Sequence, residues 1–129
     1  MDQLFRYDEL YFWPAEGKFD VAKVGAAIRA IGFTFQDEAD PTMFVVCPDE
    51  ECRQKFSASR RENPKAGFPY MLLIDVRADR IRLNQFAGPA FYDYSRQFMT
   101  WLKENYSIRV TDESENDLTP LLAQAAAAT

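Results

Sequence analysis

Residues Tyr70-Met71-Leu72-Leu73-Ile74-Asp75-Val76 form a nearly continuous apolar run, bounded by Gly67-Phe68-Pro69 before it and by Arg77-Ala78-Asp79-Arg80 after it. A strand with one wet face alternates apolar with polar, so a run of this kind reads as a central strand covered on both faces. The segment Ile81-Arg82-Leu83-Asn84-Gln85-Phe86 follows a short polar turn and does alternate, which makes the pair a hairpin. Gly88-Pro89 then breaks the chain. Beyond the break Phe91, Tyr94, Phe98, Trp101 and Leu102 recur at helical spacing, with Asp93, Arg96, Gln97 and Lys103 between them, as expected of an amphipathic helix lying on the hairpin.

The rest of the chain supplies partners for this unit. Leu4 to Pro14 contains Leu10-Tyr11-Phe12-Trp13 and reads as a first strand that stops at Pro14. Asp20 is a good N-cap for a helix over residues 21–31, with Val21, Val24, Ile28 and Ile31 on one face and small residues such as Gly25 allowing close approach to a sheet. Gly32 before Phe33 has the form of a left-handed C-cap. Thr34 to Gln36 and Thr42 to Cys47 have strand composition and flank a turn, giving a second hairpin. A second, largely exposed helix follows Pro48-Asp49-Glu50-Glu51, with Cys52, Phe56 and Ser59 as a thin inner stripe, and stops at Asn63-Pro64. Ser107 to Thr111 makes a last, edge-like strand.

The order strand, helix, hairpin, helix, hairpin, helix, strand implies an α+β fold: a mostly antiparallel sheet of about five or six strands with two or three helices packed on it. A length of 129 residues suits one domain, here residues 1–117, and nineteen aromatic rings have to be buried for the most part. Residues 118–129 form a Leu/Ala-rich tail. An isolated helix of that size is marginal, so it orders only where Leu118, Leu121 and Leu122 find a groove.

Histidine is absent, which removes the commonest general base, the Ser-His and Cys-His pairings and the commonest metal ligand together. Cys47 and Cys52 are four residues apart rather than two, with three acids between them that raise a thiol pKa, so buried, inert thiols are expected. Two Cys cannot build a structural zinc site. Asp112, Ser114 and Asn116 alternate as in a calcium loop, but Asp117 stands where glycine is needed and Ala123 where a bidentate glutamate is needed. Arg53, Lys55, Arg60, Arg61 and Lys65 form a basic strip that reads as a solvated helix face, since Phe56 is the one aromatic among them. No glycine-rich phosphate loop occurs, and no cofactor or metal is expected.

A net charge of -5 argues against a general nucleic-acid partner and favours a basic protein one. No apolar run is long enough to span a membrane and the N-terminus has no export-signal pattern, so a cytoplasmic protein is expected. In composition the chain resembles bacterial immunity proteins and other inhibitor-type binding proteins, which cover a basic partner with carboxylates. The resemblance implies a non-enzymatic binding module, with Asp112, Glu113, Glu115 and Asp117 steering the encounter. Tyr92, which falls off the apolar stripe of its helix, and Trp13, on a strand that is aromatic on both faces, are the expected anchors. A small-ligand or carboxylate- or thiol-based enzyme domain, with a pocket between sheet and helices, is the alternative.

Overall fold

A computed structural model describes residues 2–63 and 71–122 of the chain. Six strands form one antiparallel sheet in the order β2-β3-β4-β5-β1-β6: β1 (Glu9–Pro14), β2 (Phe33–Gln36), β3 (Met43–Cys47), β4 (Leu72–Val76), β5 (Ile81–Asn84) and β6 (Ile108–Thr111). The helices are α1 (Val21–Arg29), α2 (Glu50–Glu62) and α3 (Tyr92–Asn105), with short 3-10 turns at Asp2–Arg6 and Pro89–Phe91. The α+β class read from the sequence is the class observed. Among the described residues no helix is long and apolar enough to cross a membrane.

Two helices start where a carboxylate can accept from the first free amides. Asp20 accepts from the Lys23 N–H at 3.2 Å and Asp49 from the Cys52 N–H at 2.7 Å. The α1 C-terminus differs from expectation. Its cap is Ala30 in the right-handed region, and positive φ among the described glycines occurs at Gly17 and Gly88, not at Gly32. Gly32 answers to space instead: a Cβ there would lie 3.2 Å from Val46 Cγ1 and 3.3 Å from Tyr94 Cε1. Gly25 does the same for α1, where a Cβ would meet Phe44 Cζ at 3.1 Å. Val21, expected on the inner face of α1, is exposed.

The opening segment also differs. Residues Asp2–Arg6 form a 3-10 turn and the strand begins only at Glu9. Leu4 is buried in the main core, and the Gln85 side chain donates to the carbonyls of Leu4 at 3.1 Å and Tyr7 at 3.0 Å. Those bonds satisfy buried carbonyls that an extended β partner would otherwise have taken.

Strand alternation sorts the core into two parts. Leu10, Phe12, Phe44, Val46, Leu72, Ile74, Val76, Ile81, Leu83 and Val110 face α1 and α3, and pack on Val24, Ile28, Phe98, Met99 and Leu102. The opposite face is covered at one end by α2, where Phe35, Val45, Cys47 and Leu73 meet Cys52, Phe56 and Met71. Phe35 and Phe56 make an edge-to-face pair with centroids 4.8 Å apart. β4 is thus covered on both sides at its start, as its composition implies.

The inner stripe of α2 continues through Arg60 rather than Ser59. Arg60 leaves the expected solvated strip and pairs with Asp37 at 2.7 Å, the two side chains 11% and 4% exposed. Within that strip Arg53 pairs with Glu50, Lys55 with Glu51 and Arg61 with Glu38, while Lys65 lies outside the described residues.

The tail finds its groove. Leu118 and Leu122 are buried in the main core, residues 119–122 are helical, and Leu121 is partly covered. The same segment closes the free edge of β6, because Leu118 N–H donates to the Val110 carbonyl at 2.7 Å and Thr119 Oγ1 accepts from the Val110 N–H at 3.0 Å. Residues 123–129 lie outside the described residues. Leu122→Ala is expected to lower unfolding stability by about 2–4 kcal/mol, the ordinary cost of a core Leu→Ala change. Leu121→Ala should cost about 1 kcal/mol or less. Urea denaturation of both variants checks whether the tail is part of the cooperative unit.

Candidate functional site

The half of the α2-side face that α2 leaves open runs across β4, β5, β1 and β6. Register places Asp75, Arg82, Tyr11 and Thr111 in one row, each opposite the next. Glu9 and Asn84 are a second facing pair and Trp13 and Arg109 a third. Every one of these side chains comes from the outward parity of a strand whose inward parity fills the main core. The open half is therefore built by the alternation that builds the core.

Asp75 is its buried centre, 5% exposed. Three arginines converge on that carboxylate: Arg77 Nε at 3.4 Å, Arg80 Nη2 at 3.8 Å and Arg82 Nε at 4.0 Å. Arg77 and Arg80 close the β4–β5 turn with reciprocal backbone hydrogen bonds, so the hairpin itself delivers two of the three. Arg82 also reaches Glu9 at 3.6 Å. The Tyr11 hydroxyl donates to Glu9 Oε2 at 3.0 Å, and burial together with that carboxylate raises the phenol pKa above its ordinary value. The Arg80 guanidinium lies 5.4 Å from the Tyr11 ring centre, and Tyr11 stacks toward Trp13 at 6.5 Å.

Trp13 donates from Nε1 to Thr111 Oγ1 at 3.0 Å. Thr111 is followed at once by the acidic loop, so Trp13 is bonded to the residue from which residues 112–117 lead off. Within the loop the acids have two jobs. Asp112 accepts from the Ser114 and Asn116 amides and from Asn116 Nδ2, each at 2.9 Å. Those bonds, led by the Asn116 side chain, hold its pKa below the usual carboxylate value. Asp117 accepts from Thr119 Oγ1 at 2.6 Å and from its amide at 3.1 Å, and its pKa is lowered in the same way. Glu113 and Glu115 are exposed; the Glu115 amide donates to the Asp112 carbonyl at 3.2 Å, with Glu115 in the left-handed region at φ 64°. Tyr92 sits elsewhere, on the two-helix side of the sheet. Its ring stacks on Phe5 at 4.3 Å with 7° between planes, and its hydroxyl donates to the Phe5 carbonyl at 3.2 Å.

Asp75, Arg80, Arg82 and Glu9 are not among the candidates read from the sequence, and Tyr11 stands there only as one of the aromatics of the first strand. The signal was present: a lone carboxylate inside an apolar strand, followed in a hairpin by three arginines, has no cheap place unless they share a face.

A cleft of about 230 Å³ lies at the other end of the sheet, lined by Phe35, Asp37, Glu38, Ala39, Ser57, Arg60 and Arg61. Its least exposed charges, Asp37 and Arg60, pair with each other at 2.7 Å. The thiols lie apart from that lining. Cys47 and Cys52 are both free, and burial, with the neighbouring Cys52 second, pushes the Cys47 thiol up to about 12. A thiol held protonated is a poor nucleophile. Among the described residues no group of three or more Cys, Asp or Glu is placed to hold a metal ion.

Two outcomes follow from these charges. Asp75→Ala is expected to cost about 3 kcal/mol, because it strips the shared counterion from three guanidinia, whereas Arg77→Ala, at the exposed end, should cost about 1 kcal/mol or less in urea unfolding. The folded Cys47 pKa lies above the ordinary 9.0. Its contribution is therefore complete below pH 9 and is lost as pH rises from about 9 toward 12, where the unfolded thiol ionises and the folded one does not. Cys47→Ala should flatten that part of the stability–pH curve. The chain matches no protein-family model, no curated protein and no solved structure.

Proposed function

We propose that the chain is a non-enzymatic binding module for a basic protein partner, docking at Trp13 and the loop over residues 112–117. The observation that carries this reading is the Trp13–Thr111 hydrogen bond, which sets a half-buried indole beside the first residue of the acidic loop. Half-buried indoles make effective anchors, since they bring a large contact area with little rotamer freedom to lose.

The four acids divide between holding and attracting. Asp112 and Asp117 are engaged by Ser114, Asn116 and Thr119, so the loop keeps one shape, while Glu113 and Glu115 carry their charges outward. A loop ordered before the encounter loses less entropy on binding. Carboxylates at the rim of a contact surface mainly accelerate association with a basic protein, and do so less as salt rises.

The test uses parallel purifications from the source cell with three baits: the unaltered chain, Glu113→Gln/Glu115→Gln and Trp13→Ala. One basic protein should be retained in stoichiometric amount by the unaltered chain and lost progressively with salt. The glutamate variant should associate several-fold more slowly with that protein, with a flatter salt dependence, and Trp13→Ala should release it faster. Equal retention by all three baits would overturn the reading.

A further inference from the structure

The arginines on the open half of the sheet are not used by the contact just described, and their geometry is unusual. Arg80 and Arg82 stand 3.6–4.0 Å from the carboxylates of Asp75 and Glu9, close enough for charge attraction and too far for hydrogen bonds. Among the described residues Arg77 makes the one hydrogen bond to Asp75 from this group, at 3.4 Å, and the Arg80 and Arg82 guanidinia donate to no protein acceptor. Both side chains are about 30% exposed, so their forks have one buried side held by charge and one open side. A guanidinium in that position has donors in a fixed plane and an electrostatic reason to stay there.

We propose that Arg80 and Arg82, with the Tyr11 and Trp13 rings beside them, form a binding site for a singly charged carboxylate carried on an aromatic group. Charge sets the valence. Arg77, Arg80 and Arg82, with Arg109 beside Trp13, outnumber Asp75 and Glu9, while those two carboxylates, 3.6–4.0 Å from the forks, repel a phosphate dianion more strongly than a singly charged acid. Shape suits an oxyacid, because a guanidinium fork matches two oxygens of a carboxylate or a phosphate, and charge then selects between them. The neighbouring surface sets the rest. Arg80 lies over Tyr11, and Tyr11 and Trp13 stack toward each other at 6.5 Å, so the ground next to the forks is flat and aromatic. Aliphatic acids gain the ion pair alone, whereas aromatic acids gain the ring contact as well.

The experiment needs no protein partner, so its outcome is independent of the binding-module reading. The full chain, labelled with ¹⁵N, is titrated with benzoate, acetate, inorganic phosphate, N-acetylphenylalanine and N-acetylphenylalanine amide. The signals followed are the Nε–H of Arg80 and Arg82 and the indole N–H of Trp13, with the Trp101 indole as internal control. Benzoate should shift the first three saturably, at a concentration at least tenfold lower than acetate, and leave Trp101 in place. Arg82→Gln, or Arg80→Gln where the first variant does not fold, should weaken the effect at least tenfold. Tighter binding of N-acetylphenylalanine than of benzoate, abolished in its amide, identifies the source as a peptide C-terminus; the reverse order identifies a free aryl acid. Shifts that never saturate, phosphate binding as tightly as benzoate, or a titration unchanged in both arginine variants would overturn the proposal.

Discussion

Strands in a sheet lie about 4.8 Å apart and a helix with its side chains is about 10 Å across, so six strands present a face that takes two helices to cover. The described residues include three helices of useful length. Two cover one face, the third covers the end of the other over β2 and β3, and among the described residues no helix lies on the remaining area. The composition of the strands follows that shortage. β3 is buried along its whole length, whereas β5 and β1 carry Arg82, Asn84, Glu9 and Tyr11 on the side left open. The candidate site is what remains of a sheet when its cover runs out.

A carboxylate at the boundary between covered and open ground is a particular solution to that problem. Asp75 lies one register step beyond Leu73, the last residue on its side of β4 that packs against the α2 cluster. Burying an ion there costs several kcal/mol unless opposite charge surrounds it. A tight turn after β4, closed by Arg77 and Arg80, returns Arg80 and Arg82 to the same place at once, and cross-strand pairing sets Arg82 between Asp75 and Tyr11. Surplus cations then accumulate on an otherwise acidic protein, because local neutralisation of one buried carboxylate and net charge of the chain are separate matters.

Local chemistry was legible in the sequence and distant chemistry was not. The hairpin of β4 and β5 and the helix starts at Asp20 and Asp49 depend on residues within a few positions of one another, and the edge-like composition of β6 and the leucines of the tail can be read within their own segments. The start of β1, the role of Gly32 and the inward turn of Arg60 depend instead on Gln85, on Tyr94 with Val46, and on Asp37, none of them near in sequence. The candidate site divides in the same way. Trp13 and the acidic loop stood out by composition. That Asp112 and Asp117 hold the loop while Glu113 and Glu115 face outward depends on individual hydrogen bonds, and Tyr92 is matched to Phe5 across 87 positions of sequence.

The position of β1 has a consequence for how the chain acquires its structure. β2, β3 and β4 are each paired with the next strand in sequence, so β2 to β5 can assemble as a meander, but β1 is inserted between β5 and β6. Its contacts are among the most distant in the chain: Trp13 reaches Thr111 across 98 positions. Pairings of that separation carry the largest loop-closure cost and are slow to form. During synthesis the aromatic segment Tyr11-Phe12-Trp13 therefore emerges early and waits for β5 and β6 before either of its edges is filled. The strand that presents the candidate site is also the one whose arrival completes the sheet.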